Sequence, residues 1–204
     1  MEGRRDRKKR QTRERIRASA LELFTAQGYR NTTIAAIAEH ADVATRTVTL
    51  HFPAKADLLF ADDPFAPESL AARLADRTGD TLDVVGEWMH DTMRALGEDD
   101  TDQGREPGEM FALHAKRAAL IAEDADLGSR AGAFYTALER VVADALGDEL
   151  GMSPDALVPR LTAYTLVGGL RELYRADEAT REDLPALVDR VLEFTRAGMA
   201  ALTT

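Results

Sequence analysis

The stretch from Ile34 to Phe60, IAAIAEHADVATRTVTLHFPAKADLLF, leaves this chain few ways to fold. Ile34, Ile37, Ala38 and Ala41 recur at i, i+3, i+4 and i+7, one apolar stripe at helical period. Asp42 and Val43 interrupt that period. From Thr45 to Phe52 a second helical segment turns Val48 and Phe52 toward the same small core. A further helix is expected just after Pro53, opened by Lys55 and carrying Leu58 and Leu59. The spacing predicts two short amphipathic helices and a tight turn, a helix-turn-helix over about residues 34–52.

The other faces of the second helix carry Thr45, Arg46, Thr49 and His51, too polar to be packing surface. Donors and a cation shown to solvent by the second helix of such a pair suit a DNA major groove. The distribution of charge agrees. The chain is −10 overall, yet residues 1–60 hold 12 Lys/Arg against 7 Asp/Glu (+5), while residues 61–204 hold 14 against 29 (−15). A basic head is drawn to phosphate and an acidic body is repelled by it. The head starts with an arm containing Arg4, Arg5, Arg7, Lys8, Lys9, Arg10, Arg13, Arg15 and Arg17. Its first ten or so residues lack apolar periodicity and are expected to be disordered. A helix is expected from about Gln11, with Ile16, Ala20, Leu23 and Phe24 on one stripe and a left-handed Gly28 at its end. Thr32 or Thr33 then caps the next helix.

Beyond Phe60, ADDPFAP marks a junction at 61–67, dividing a head of residues 1–60 from a body of residues 61–204. Helices are expected at about 68–77, 81–96, 109–123, 126–147, 154–176 and 184–202, with a polar loop at 97–108. Ser153 caps the 154–176 helix, with Pro154 at its first position. No segment alternates as a strand does, so the class is all-α. The 154–176 helix is apolar almost all round, which predicts burial on several sides. Gly168 and Gly169 in its middle imply close backbone approach there. With the apolar stripe of 184–202, it supplies more apolar surface than one small body can bury. A homodimer through these two helices is expected.

Ala18, Leu21, Phe24 and Gly28, then Thr32-Thr33-Ile34 and Ile37-Ala38, then Val43, Thr47-Val48, His51-Phe52, Lys55 and Asp57-Leu58-Leu59 keep a fixed order and spacing. Together they resemble the N-terminal domain of TetR-type (TetR/AcrR) transcriptional regulators, over about residues 11–60. The resemblance implies a three-helix head bearing the helix-turn-helix and a C-terminal helical domain for effector binding and dimerisation. It implies that Thr33 and Lys55 hold DNA phosphates. Thr45, Arg46, Thr49 and Leu50 would read bases, with Thr47 and His51 nearer the backbone. Arg10 of the arm joins the expected DNA contacts. An arginine fork matches guanine O6 and N7, and threonine or leucine meets a thymine methyl. Three positions depart from the family pattern. Asp42 stands where many members have glycine, Ala44 where many have serine, and Thr49 where an aromatic usually contacts phosphate.

The chain has no cysteine, which excludes disulfides and thiolate chemistry. His40, His51, His90 and His114 lack metal-ligand spacing, no glycine loop cradles phosphate, and no acid, base and nucleophile cluster. No cofactor and no enzyme activity are expected. Paired acids such as Asp148–Glu149 read as solvated. No apolar run has membrane-spanning length and the basic N-terminus precedes no signal-peptide core, so a cytoplasmic protein is expected. An effector site among helices 81–176 would draw on Trp88, Met93, Phe111, His114, Phe134 and Tyr164, bulk and thioether with sparse polar tips. Arg117 could meet an anionic ligand or form a surface ion pair. The reading is a ligand-responsive repressor released from its operator by a small, largely apolar effector. The alternative is a small-molecule binding protein whose head no longer binds DNA.

Overall fold

A computed structural model describes residues 3–61, 63–102, 109–173 and 183–203, and their side chains except those of Arg4 and 97–115. Among the described residues every regular element is a helix. Packing divides the chain into two units, Met1–Asp63 with Lys116–Gly128, and Pro64–Ala115 with Ser129–Thr204.

The first unit is built on α1 (Arg4–Gln27), α2 (Ile34–His40), α3 (Thr45–His51) and α4 (Asp57–Phe60). Ile16, Ala20 and Phe24 of α1 are fully buried, along with Ile37, Val48 and Phe52 to within 1%. Leu58 and Leu59 of α4 complete this side of the core. α1 starts at Arg4, well before the expected start at Gln11, so the basic arm is helical. A helix already anchored by its C-terminal half avoids the cost of nucleation, and arginine and lysine propagate it well. Thr12 back-bonds to the Lys8 carbonyl, and Arg10 lies 3.7 Å from Glu14 one turn on. Gly28 ends α1 at φ 86°, ψ 152°, an extended region open essentially to glycine alone, and not the left-handed cap expected. Thr32 is buried and donates to the Gly28 carbonyl, leaving Thr33 to cap α2 by accepting from the Ala36 N–H at 3.1 Å.

The rest of this core comes from far along the chain. Leu120, near the end of α7 (Glu109–Glu123), and Leu127, in the first turn of α8 (Ala125–Leu150), bury with the head's apolar residues. Residues 116–128, expected in the body, therefore belong to the head's compact unit. Ion pairs fasten them. Asp124 accepts from Arg30 Nε at 2.7 Å while capping α8 through the N–H groups of Asp126 and Leu127. Arg117 pairs with Asp63 in a largely buried position and lies over the Phe60 ring. Arg117 is thus a fold residue of the head.

The second unit holds α5 (Pro67–Ala75), α6 (Thr81–Asp102), the start of α7, most of α8, α9 (Leu157–Leu173) and α10 (Leu184–Thr203). Leu82 and Val85 of α6, Val142 and Leu146 of α8, Leu166 of α9 and Val188 of α10 meet in its core. Glu149, expected to be merely solvated, caps α6 by accepting from the Thr81 N–H at 2.7 Å and its hydroxyl at 2.6 Å. Arg196 ties α10 to the start of α6 through Asp80 and Asp83. α9 starts at Leu157, because Pro154–Ala156 form a turn in which the Ser153 hydroxyl accepts from the Asp155 N–H. Gly169 gives the close approach expected: a Cβ there would stand 2.7 Å from Val191 Cγ1 of α10. Gly168 faces open space. Nor is α9 covered all round, since Leu157, Leu161 and Tyr164 are 68%, 40% and 62% exposed.

Asp124 links these facts to pH. The hydrogen bond from Arg30 is the main cause holding its carboxyl below the usual range, followed by the Leu127 N–H. A depressed carboxylate stabilises the fold above its unfolded pKa, and that contribution is lost as pH falls through the folded value. Arg30→Ala is expected to flatten the acid side of the stability profile below about pH 4, the ordinary aspartate range. Thermal unfolding from about pH 6 down through that range checks this, and profiles that run parallel for both proteins refute it.

Candidate nucleic-acid interface

α3 has only seven residues and is held by what it buries. Val48 and Phe52, one turn apart, are the inward side chains, each worth on the order of 1.5–3 kcal/mol of apolar burial. Fixing those two turns Thr45, Arg46, Thr49 and Leu50 outward, with Thr47 and His51 half-buried at the flanks. Leu50 is 81% exposed, an apolar side chain left in water on the same face as the exposed Arg46. Thr49 turns its hydroxyl onto the Arg46 carbonyl at 3.1 Å, which orients its methyl group as well.

The turn before α3 keeps its shape without glycine. Asp42 takes φ 51°, the left-handed region. The Val43 N–H bonds the Ala38 carbonyl at 2.9 Å and the Asp42 N–H that of Glu39 at 3.1 Å, the six-to-one and five-to-two pair of a Schellman cap. Aspartate tolerates this region better than most residues with a β-carbon. Ala44 offers α3 no side-chain cap. At the other end, Arg13 of α1 donates to the His51 carbonyl and lies 4.3 Å from the Phe52 ring centre. In the sequence Arg13 reads as one more cation of the arm. Its spacing from the buried Ile16, one turn on, is the only hint that it lies beside the core.

Electrostatics separates the remaining candidates. Desolvation, then the cations Arg13 and Lys9, hold the His51 imidazole below the usual histidine range, so it is neutral at pH 7. Lys55 lies in the turn before α4. Its ammonium donates to the carbonyls of Tyr29 at 2.8 Å and Thr32 at 3.1 Å and sits over the Tyr29 ring at 4.2 Å. Desolvation lowers its pKa. Two of its three donors are thus spent on the loop that precedes α2, leaving one for an outside anion. Thr33 is exposed, and its hydroxyl, while capping α2, keeps its own hydrogen free to donate. Arg10 lies exposed on α1.

A family model described as bacterial regulatory proteins, tetR family, matches residues 16–61, and one described as the MftR C-terminal domain matches residues 103–200. The chain belongs to the TetR family. Over 75 residues it is 41% identical to the HTH-type transcriptional regulator TcmR of Streptomyces glaucescens, covering 37% of this chain and 33% of TcmR. The match thus spans about a third of that relative. Solved structures share the fold at low identity. The SmeT–triclosan complex has a TM-score of 0.63 at 20% identity, covering 92% of this chain and 90% of that one. NalD, the secondary repressor of the MexAB-OprM multidrug efflux pump in Pseudomonas aeruginosa, gives 0.59 at 21%, covering 93% and 95%. Thermus thermophilus FadR in complex with lauroyl-CoA gives 0.56 at 23%, covering 92% and 94%.

Three of the effector candidates of this TetR-family chain, Trp88, Met93 and Phe134, meet at one core, and Tyr164 does not join them. Trp88 is buried in the body's core, where its indole N–H donates to Ser69 Oγ at 3.1 Å and its ring meets Phe65 edge-on. Met93 and Phe134 pack partly buried against the same core, and Phe134 meets Tyr135 edge-on. Tyr164 points outward from α9. The side chains of Phe111 and His114 lie outside the described residues. Sequence reasoning missed a polar cluster here. Arg171 lies over the Tyr135 ring with its Nε buried and unbonded, and burial raises the pKa of nearby Glu139. No helix among the described residues is long and apolar enough to cross a membrane.

The strain at Asp42 is measurable. A left-handed residue with a β-carbon costs roughly 1–2 kcal/mol, against roughly 0.5–1 kcal/mol for the extra unfolded-state freedom of glycine. Asp42→Gly is expected to stabilise the protein by up to about 1 kcal/mol, seen as a higher urea midpoint at unchanged slope. A lower midpoint would show that the aspartate side chain contributes more than the strain costs.

Proposed function

We propose that this TetR-family protein is a homodimeric transcriptional repressor that binds an operator through α3 and leaves it when a small, largely apolar effector binds the body. The observation that carries the DNA-binding reading is the exposed face of Thr45, Arg46, Thr49 and Leu50, fixed in place by buried Val48 and Phe52. Arg46 is the guanine reader, and Leu50 and the threonine methyls suit thymine. Thr33, Thr47, His51, Lys55 and Arg10 contact the backbone. The two heads of a dimer would sit one or more helical turns of DNA apart, at roughly 34–36 Å per turn. An effector shifts the dimer toward a spacing that no longer fits, and it can do so only by binding the two spacings with different affinity. The site lies among α6, α7 and α8, where Met93 and Phe134 supply apolar surface and Phe111 and His114 are further candidates. Triclosan and lauroyl-CoA, printed for two fold relatives, support an effector with an apolar ring or acyl chain. A cytoplasmic location accords with this role.

Arg46→Ala is expected to cost about 1–3 kcal/mol on the cognate operator and much less on random DNA. Fluorescence anisotropy on both duplexes decides it, and equal losses would remove the base-reading role. Deleting residues 1–10 is expected to weaken binding to all sequences and to flatten the log-affinity against log-salt slope by about 0.9 for each phosphate that the arm neutralises. An unchanged slope would show that the basic turns of α1 do not touch DNA.

A further inference from the structure

The C-terminal end of α3 is short of donors. A helix leaves its last carbonyls without partners of its own. The Phe52 N–H serves the Val48 carbonyl, but Pro53 has no N–H for that of Thr49. The Ala54 N–H, next in line for Leu50, is taken by the Asp57 carboxylate at 2.8 Å. The donor that reaches the His51 carbonyl comes from another helix. It is the guanidinium of Arg13, which also sits 4.3 Å from the Phe52 ring centre. A cation suits this end of a helix for a second reason, since the free carbonyls there carry partial negative charge.

Arg13 is itself firmly held. It is half-buried on α1, and Ile16, on the next turn, is fully buried. Its planar fork can donate to a carbonyl while its face covers a ring, which a lysine ammonium on a flexible stem does less well. The last turn of α3 projects Leu50, 81% exposed, one turn on from the exposed Arg46. A seven-residue helix frays at an unfastened end, and the side chains it projects would then sample several positions. Arg13 thus ties the side of α3 that faces solvent to the buried core of α1.

We infer that Arg13 is a positioning residue for operator recognition. By holding the last carbonyl of α3 and covering Phe52, it fixes where Arg46 and Leu50 meet the bases. It contributes to the choice of sequence through α3, beyond any general attraction of the basic arm for DNA. This rests on the reading of α3 as the base-reading helix and deepens it, placing part of the specificity on α1.

Variants of the full-length protein test it, with affinities for the cognate operator and for a random duplex read by fluorescence anisotropy. Arg13→Lys keeps the charge and Arg13→Met only the apolar stem. Each is expected to weaken operator binding about tenfold, the order of one charge-assisted hydrogen bond, with random-duplex affinity and the salt slope unchanged. In the Arg46→Ala background, Arg13→Met is expected to cost the operator much less, because a residue it positions is gone. Burial, then the cations Arg13 and Lys9 facing it from α1, hold the His51 imidazole down, so Arg13→Met is expected to move its NMR titration to higher pH. Unchanged far-UV circular dichroism shows that the variants remain folded. Unchanged operator affinity in Arg13→Met, or losses that simply add in the double variant, overturns the positioning role and leaves α3 as the reader. A salt slope shallower by about 0.9 on both duplexes does the same and makes Arg13 a phosphate contact. Arg46→Ala that loses equally on both duplexes overturns the base-reading role of α3 and this inference with it.

Discussion

The burial of Val48 and Phe52 decides almost everything else about the head. A seven-residue helix is far too short to persist in water alone. It exists because two side chains one turn apart are taken out of solvent and both of its ends are held. The Schellman turn at Asp42 fixes where it starts, and Arg13 holds the carbonyl of its last residue. The face opposite a fixed pair of anchors is itself fixed, so Arg46 and Leu50 are presented to solvent without further support. The outward face of α3 is the reverse side of a packing solution.

That geometry redistributes the head's positive charge. The count of twelve cations treats them as equivalent, but the fold uses several of them. Arg13 closes α3, Arg30 holds Asp124, and Lys55 spends two donors on the loop before α2. Each trades some of its reach into solvent for rigidity of the surface around it. Arg46 and the outer turns of α1 remain turned to solvent. Solvent-facing cations and cations spent on internal contacts are thus different residues, with Lys55 between them.

What the sequence discloses follows from the range of the interactions. α2 and α3 are legible because their apolar stripes are local and the two helices meet each other within twenty residues. The start of α1 is not, because apolar periodicity is silent about a helix that extends into solvent from an anchored half. The roles of Arg117, Glu149 and Asp124 are hidden for another reason: their partners lie 54, 68 and 94 residues away, and no local pattern announces an ion pair across that separation. At the interface face, the outward residues of α3 can be read from helical period alone. The neutral state of His51 and the tethering of Lys55 depend on neighbours from α1 and from the loop that follows it, and only the folded arrangement supplies those.

The loan of Leu120 and Leu127 to the head has a consequence for how such proteins can be recombined. A fragment ending near residue 63 would expose the apolar floor those leucines cover and remove Asp124 from Arg30 and Arg117 from Asp63. Exchanging heads between relatives at the apparent junction would likewise place a foreign α7–α8 corner against this core. The transferable module is discontinuous: it comprises the first sixty-odd residues together with 116–128, and the two pieces must descend from the same parent.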